Sequence, residues 1–262
     1  MHAVGMKLRP RRLISLFVMS NLAIAPFSSA SAVPPKVDVN RASQMIQISP
    51  GGDGAVKASM ILLHGLGDTA HGWAGAAHEM VQHVEGLRVV LPTAPSQPVT
   101  LNGGFKMPSW YDIKGLDDRS NEDCDGLDET RSYVLGLIEN EARTYPDAKI
   151  ILGGFSQGGA VSLYTGLQHS GKPRLAGVLC MSGYLPDPKN WELSEAGRET
   201  PVMMRHGDAD DVVALWMAEK SIEKIQAAGL ANTIEWKTYP MGHSAVMEEI
   251  EDVIAWIKSL LR

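Results

Sequence analysis

A chain of 262 residues, with 44% apolar and 21% charged side chains, is long enough to bury the core of one full-sized domain. Its net charge of −6 is uneven: residues 1–37 carry five basic side chains and no acidic one, whereas the rest holds 19 basic and 30 acidic side chains, a net of −11. An acidic body without a basic stripe argues against nucleic acid as a partner and against electrostatic docking on anionic lipid.

The first 35 residues are predicted to be a leader, and residues 40–262 the folded domain. A basic segment, Lys7–Arg12, precedes a mostly apolar run, Leu13–Ala25, and a small-residue stretch then ends in Ala30-Ser31-Ala32. This is the pattern of a cleavable secretory signal, with an organelle transit peptide or a wrongly assigned start codon as alternatives. The apolar run is shorter than the ~20 residues that span a bilayer, so no transmembrane segment is predicted.

The next part of the chain predicts strands separated by a helix. Gln44–Ile48 alternates as a half-buried strand does, and Ala58–Leu63 is a continuous apolar run that opens into a glycine-rich loop at residues 64–68. Trp73–Val84 has the spacing of an amphipathic helix, and Leu87–Leu91 is another buried strand, stopped by Pro92. Strand, helix and strand in this order form the unit of a parallel sheet.

A long segment, Thr93–Leu116, is rich in proline, glycine and aromatic residues and is predicted to be a loop. Loops of this length inside a compact domain are usually functional, so we interpret it as a wall of the substrate site, with an ordinary surface loop as the alternative. Asp117–Asp128 is strongly acidic and lacks the spacing of an EF-hand loop, which indicates a solvated connection rather than an ion site. A helix is predicted over Leu127–Glu141.

The most informative stretch is Lys149–Leu163, where an apolar strand passes through a glycine-rich turn into a helix. Ser156 lies at the tip of this turn, and Gly154 and Gly158 stand two residues before and after it. Both must be small, because strand and helix nearly touch at such a turn. The pattern is typical of a nucleophile elbow, and a tight glycine turn with an idle serine is the alternative.

The remainder continues the alternation of strands and helices. Strands are predicted over Leu175–Met181, Val202–Arg205 and Thr233–Tyr239, and helices over Trp216–Ala228 and from Val246 to the C-terminus. The whole predicts one α/β domain, a mostly parallel central sheet with helices on both faces.

Four loops, at His64, Ser156, Asp210 and His243, follow predicted parallel strands at their carboxyl ends, where open α/β sheets bind ligands. A serine nucleophile needs a base, and the base needs a carboxylate. His243 is the candidate base because it lies in a glycine-flanked loop after the last strand. His64 and His206 begin glycine turns, which favours structural rings hydrogen-bonded to backbone.

Asp208, Asp210 and Asp211 compete as the acid, and spacing alone does not separate them. The chain order of serine, aspartate and histidine is that of α/β-hydrolases. Acyl transfer also needs backbone N–H donors for the developing oxyanion. Gln157, directly after the serine, and Leu66, in the loop after an early strand, are the candidates.

The cysteines and the metal-binding residue types are less informative. Cys124 and Cys180 allow one disulfide or two free thiols. Because there is no CxxC motif and no Cys/His cluster, no metal site is predicted.

Six motifs carry a resemblance to a known family. They are Leu63-His64-Gly65-Leu66-Gly67-Asp68, Pro92-Thr93-Ala94-Pro95, Met107-Pro108-Ser109-Trp110-Tyr111-Asp112, Gly153-Gly154-Phe155-Ser156-Gln157-Gly158-Gly159, His206-Gly207-Asp208-Ala209-Asp210 and Met241-Gly242-His243-Ser244. Together they resemble the acyl-protein thioesterases, also called the phospholipase/carboxylesterase or lysophospholipase-like family, over roughly Met45–Leu260.

The resemblance implies the α/β-hydrolase fold, with Ser156 as nucleophile, Asp210 as acid and His243 as base, and it selects Asp210 among the three aspartates. It implies a hydrolase without cofactor whose substrates are S-acylated proteins, lysophospholipids or short esters. It also implies a cytoplasmic location where no leader is cleaved. The implied lining of an apolar acyl channel is Leu66, Trp73, Met107, Trp110, Tyr184 and Val212.

The chain departs from the family pattern at two points. Asp211 stands where the family usually has proline, which places a second carboxylate near the acid. The first cysteine is Cys124, whereas cytosolic animal members of the family tend to carry a cysteine near the N-terminus that can itself be acylated. The leading hypothesis is depalmitoylation of S-acyl cysteine, the alternatives are a broad carboxylesterase or lysophospholipase, and a non-catalytic binding protein with a hydrolase fold is disfavoured. Nothing in the sequence indicates an oligomeric state.

Overall fold

The computed structural model describes residues 33–116, 123–232 and 234–262. Nearly all of the predicted leader, residues 1–32, therefore lies outside the described residues, as do much of the acidic segment and Thr233. None of the helices in the described part of the chain is both long and apolar enough to cross a membrane.

The described ranges form ten strands and six α-helices, which alternate from β6 onward. The strands are β1 (Lys36–Asn40), β2 (Met45–Ser49), β3 (Ala58–Leu63), β4 (Leu87–Leu91), β5 (Ser96–Val99), β6 (Phe105–Pro108), β7 (Lys149–Phe155), β8 (Leu175–Met181), β9 (Val202–Gly207) and β10 (Glu235–Tyr239). The helices are α1 (Ala70–His83), α2 (Leu127–Thr144), α3 (Gln157–Gln168), α4 (Glu195–Arg198), α5 (Leu215–Ala227) and α6 (Met247–Leu260).

Eight strands form one sheet in the order β1-β2-β4-β3-β7-β8-β9-β10, in which β1, β2 and β4 pair antiparallel and the other neighbours pair parallel. Strands β3, β4 and β9 are buried along their whole length on both faces, as is usual for parallel strands covered by helices. One core cluster joins one face of the sheet to α1 and α6, and another joins the opposite face to α2, α3 and α5. The predicted α/β-hydrolase sheet with helices on both faces is confirmed.

Three strands, β1, β5 and β6, were not predicted, for different reasons. β1 is exposed along its whole length and therefore shows no burial pattern. β5 and β6 form a two-stranded antiparallel ribbon inside the predicted loop, joined through a short 3-10 helix at Thr100–Asn102. Pro98 within β5 argues against a strand, but a two-stranded ribbon has free edges, where proline is tolerated.

The thiol of Cys180 is free and fully buried in the core, and its burial raises the pKa of the thiol far above its usual range. The disulfide with Cys124 that the sequence allows is therefore not formed. A thiol so far from ionisation is an inert core side chain rather than a nucleophile.

Candidate active site

Ser156 lies between β7 and α3 with a φ of 54°, a conformation that a non-glycine residue adopts at a cost of about 1–3 kcal/mol. The close approach expected at Gly154 and Gly158 is confirmed. A Cβ on Gly154 would lie 2.3 Å from the carbonyl carbon of Gly158, and one on Gly158 would lie 2.2 Å from the carbonyl oxygen of Leu63. The turn therefore presses the helix against two strands and leaves the serine side chain at the strand end.

Three loops that are distant in sequence bring Ser156, His243 and Asp210 into one hydrogen-bonded chain. His243 Nε2 lies 2.8 Å from Ser156 Oγ, and His243 Nδ1 lies 2.7 Å from Asp210 Oδ2. His243 belongs to the loop between β10 and α6, and Asp210 follows β9. With one ring nitrogen at a carboxylate and the other at a hydroxyl, this histidine is oriented to take a proton from the serine.

Asp210 is buried, whereas its neighbours Asp208 and Asp211 are exposed. Its second oxygen, Oδ1, accepts hydrogen bonds from the backbone N–H groups of Val212 and Val213, each at 2.9 Å. The carboxylate is thus held by its own loop on one side and by the imidazole on the other. Of the three competing aspartates, the structure brings Asp210 to the histidine.

The two other histidines at strand ends are structural, as predicted. His64 Nε2 accepts the N–H of Ala94 at 3.0 Å, so its Nδ1 carries the proton and donates to the carbonyl of Gly65 at 2.7 Å. Burial lowers the pKa of His64 to about 4, which keeps this ring neutral. His206 Nε2 donates to the carbonyl of Val213 at 2.7 Å, and burial lowers its pKa as well.

The backbone around Leu66 and Gln157 adjoins the serine. Gln157 is the first residue of α3, where a helix leaves N–H groups without an intrahelical acceptor. Leu66 follows Gly65, on which a Cβ would lie 3.3 Å from Ser156 Cβ. Gly67 N–H donates to the carbonyl of Pro108 at 2.8 Å, and this bond ties the Leu66 loop to the end of β6.

The side chain of Gln157 has a role that the sequence did not predict. It is buried, its Oε1 accepts the N–H of Trp110 at 2.9 Å, and its Nε2 donates to the carbonyl of Tyr111 at 2.7 Å and to Ser109 Oγ at 3.1 Å. The amide thereby fastens the segment after β6 to the serine turn. The one signal in the sequence is a glutamine next to the serine, and its partners lie 46 to 48 residues away.

A cavity of about 350 Å³ opens at the serine. Predicted lining residues Leu66, Met107, Tyr184 and Val212 contribute to its wall. The 3-10 helix after β5 and the chain after β6 add Leu101, Asn102, Ile113 and Leu116, so the predicted loop does form a wall. Asp211 and His243 are the ionisable side chains of acid or base type in the lining, and the wall as a whole is mostly apolar.

The prediction that Trp73 and Trp110 line the cavity is wrong. Trp73 is a buried residue of α1 that packs on Phe155, with ring centroids 5.2 Å apart, and it is Phe155 rather than Trp73 that lines the cavity. Trp110 is buried on the other side of the loop, and its Nε1 donates to the carbonyl of His64 at 2.8 Å. Both tryptophans support the loops of the site from within the core instead of facing a ligand.

Comparisons with known proteins agree with the fold and the motifs. A sequence model of the Phospholipase/Carboxylesterase family matches residues 46–261. Acyl-protein thioesterase 1 of Gibberella zeae is 41% identical over 218 residues, which cover 78% of this chain and 91% of that protein. Acyl-protein thioesterase 1 homolog 1 of Dictyostelium discoideum is 39% identical over 208 residues, with the same coverage of 78% and 91%.

Among solved structures, the acyl-protein thioesterase 2 of Zea mays superimposes with a TM-score of 0.73 at 29% sequence identity. The alignment covers 84% of this chain and all of the maize chain. The likeness therefore extends over most of this chain.

Proposed function

Since the chain belongs to the phospholipase/carboxylesterase family of α/β-hydrolases, we propose that it hydrolyses acyl thioesters, with S-palmitoyl cysteine of proteins as the leading substrate class. The observation that carries the proposal is the hydrogen-bonded chain from Asp210 through His243 to Ser156 at the mouth of an apolar cavity. The relatives named acyl-protein thioesterases support the choice of bond.

In the proposed reaction, Ser156 Oγ attacks the thioester carbonyl while His243 Nε2 takes its proton. Asp210 holds the ring in the tautomer that leaves Nε2 free to accept, and it stabilises the imidazolium that forms. The backbone N–H groups of Leu66 and Gln157 are the proposed donors to the oxyanion, each contributing about 10²- to 10³-fold in rate.

His243 then returns the proton to the departing cysteine sulfur. A water molecule, activated by the imidazole, then attacks the carbonyl of the acyl-serine. The fatty acid is released as His243 returns the proton to Ser156 Oγ. A thiol ionises near pH 8.5 and leaves more readily than an alcohol. Cleavage of a thioester therefore depends less on proton donation to the leaving group than cleavage of an ester does.

The cavity wall supports a long acyl chain as the part of the substrate that is recognised. Met107, Leu101, Ile113 and Val212 offer apolar surface beside Ser156. Each methylene that moves from water to such a wall contributes about 0.8 kcal/mol. We therefore expect kcat/KM to rise about fourfold per added methylene until the cavity is full.

A fluorophosphonate probe tests the nucleophile. Folded wild-type protein is expected to form an adduct that peptide mass spectrometry maps to Ser156, and Ser156→Ala is expected to form none. An adduct elsewhere, or none on the wild type, refutes the enzyme proposal.

Rates on a palmitoyl-peptide thioester, lysophosphatidylcholine and a short aryl ester then decide among the substrate classes. We expect the thioester to give the highest kcat/KM. If it is the slowest by orders of magnitude, the protein is a carboxylesterase or lysophospholipase, and the depalmitoylase proposal is withdrawn.

A further inference from the structure

Asp211 occupies an unusual place at the cavity. It follows the acid Asp210 directly and lines the cavity together with Val212 and Val213, yet its own side chain is exposed to solvent. The two bonds from Val212 and Val213 N–H to Asp210 Oδ1 fix the turn that carries it. Its position is therefore set by the same contacts that hold Asp210.

The charge of Asp211 is not neutralised by the protein. Within the described residues, the carboxylate of Asp211 takes part in none of the hydrogen bonds or ion pairs of the structure. Lys237 illustrates the contrast, because its charge is paired with the carboxylates of Asp252 and Glu248. Among the side chains that line the cavity, only His243 can also carry a charge. An exposed, uncompensated negative charge thus stands at the opening of an otherwise apolar or neutral site.

The proposed reaction places the leaving group at this opening. An acyl chain occupies the apolar wall and its carbonyl carbon meets Ser156, so the peptide that carries the thioester stays in contact with solvent. Residues that flank the acylated cysteine then pass close to Asp211. A cationic side chain there is attracted and an anionic one is repelled.

On the basis of the proposed function, we propose that Asp211 is a specificity-determining residue that favours S-acyl cysteines flanked by lysine or arginine over those flanked by glutamate or aspartate. For one charge on each side, separated by about 5–10 Å in a medium between protein surface and water, Coulomb attraction changes kcat/KM about two- to tenfold. The effect declines with salt, because the Debye length falls to about 8 Å at 0.15 M ionic strength.

The experiment uses three S-octanoyl peptides that differ only in the residues flanking the cysteine: two lysines, two serines or two glutamates. kcat/KM is measured for wild type, Asp211→Asn and Asp211→Lys at low and at physiological salt. Asp208→Asn is the matched control, because it removes the same charge from an exposed residue of the same loop that does not line the cavity.

We expect wild type to prefer the lysine peptide to the glutamate peptide at low salt. The ratio of kcat/KM for the lysine peptide to kcat/KM for the glutamate peptide is expected to be nearly the same in Asp208→Asn as in wild type. Because Asp211→Asn removes both the attraction to lysine and the repulsion of glutamate, the ratio is expected to fall about four- to a hundredfold for one flanking charge near residue 211, and more in Asp211→Lys. If Asp211 acted instead through the basicity of His243, its substitution would change kcat/KM for all three peptides by the same factor and leave the ratio unchanged.

Three outcomes overturn the proposal. Equal ratios in wild type and Asp211→Asn refute the role of Asp211 while leaving the thioesterase proposal intact. Equal effects of the substitutions at 208 and 211 assign the preference to the overall negative charge of the protein. If wild type hydrolyses none of the thioesters, including the neutral serine peptide, the proposed function fails and this inference fails with it.

Discussion

The buried amide of Gln157 leads to a quantitative prediction. Gln157→Leu keeps most of the side-chain volume but leaves the N–H of Trp110 without its acceptor, and it removes the bonds donated to the carbonyl of Tyr111 and to Ser109 Oγ. An unsatisfied buried donor costs about 1–3 kcal/mol, and each lost hydrogen bond costs about 0.5–1.5 kcal/mol. Since leucine recovers part of this through apolar contact, we expect a loss of about 2–4 kcal/mol in the free energy of unfolding.

Urea unfolding followed by tryptophan fluorescence measures this loss. The matched control is Gln168→Leu at the other end of α3, where a half-buried amide donates one bond to the carbonyl of Tyr164 at 3.0 Å. That variant is expected to lose less than about 1 kcal/mol. Equal losses in the two variants, or a loss below about 1 kcal/mol at Gln157, would show that the segment after β6 does not depend on this amide.

Further substitutions probe the turn, the triad and the core. Gly158→Ala puts a methyl group 2.2 Å from the carbonyl oxygen of Leu63, so we expect a lower melting temperature and loss of labelling by the serine probe. Asp210→Asn is expected to reduce kcat about 10³- to 10⁴-fold with near-normal folding, measured by steady-state kinetics and circular dichroism, because an amide disfavours the required tautomer of His243. Burial raises the pKa of Glu249 to about 8, so the folded protein retains this proton between about pH 4.5 and 8 and loses stability as the pH rises through that window. Relative to wild type, the free energy of unfolding of Glu249→Gln is therefore expected to rise by up to about 1.4 kcal/mol per pH unit between pH 5 and 8, as measured by urea unfolding. A difference between the two proteins that is constant with pH contradicts this prediction.

The central strands and the serine turn could be predicted because their signals are local. Strands β3, β7 and β8 are buried on both faces and so appear as mostly apolar runs. The serine turn requires glycine at positions 154 and 158, which lie within one stretch of five residues. The ribbon β5–β6 could not be predicted in the same way. Its strands are short, and proline inside a strand is acceptable only because an edge is free, which depends on the fold.

The aromatic residues mark the limit of the sequence signal most clearly. Trp73 follows one motif of the site and Trp110 lies within another, and both were expected in the cavity wall, but both are buried in the core. A helix or loop places neighbouring side chains on opposite sides, and which side becomes core depends on what packs there. Phe155 against Trp73, and the carbonyl of His64 at Trp110 Nε1, decide these two cases.

The sequence by itself determined the fold class, the serine turn and the chain order of serine, aspartate and histidine, because strand burial and turn geometry depend on neighbouring residues. Its motifs also pointed to the family to which the chain belongs. Residue spacing left Asp208, Asp210 and Asp211 open, and the family resemblance selected Asp210. Only the tertiary structure showed the contact between Asp210 and His243, the anchoring by Gln157 of a segment almost fifty residues away, and the unpaired position of Asp211 at the cavity opening. These are distances between separate loops, and they are set when the carboxyl ends of the parallel strands pack side by side.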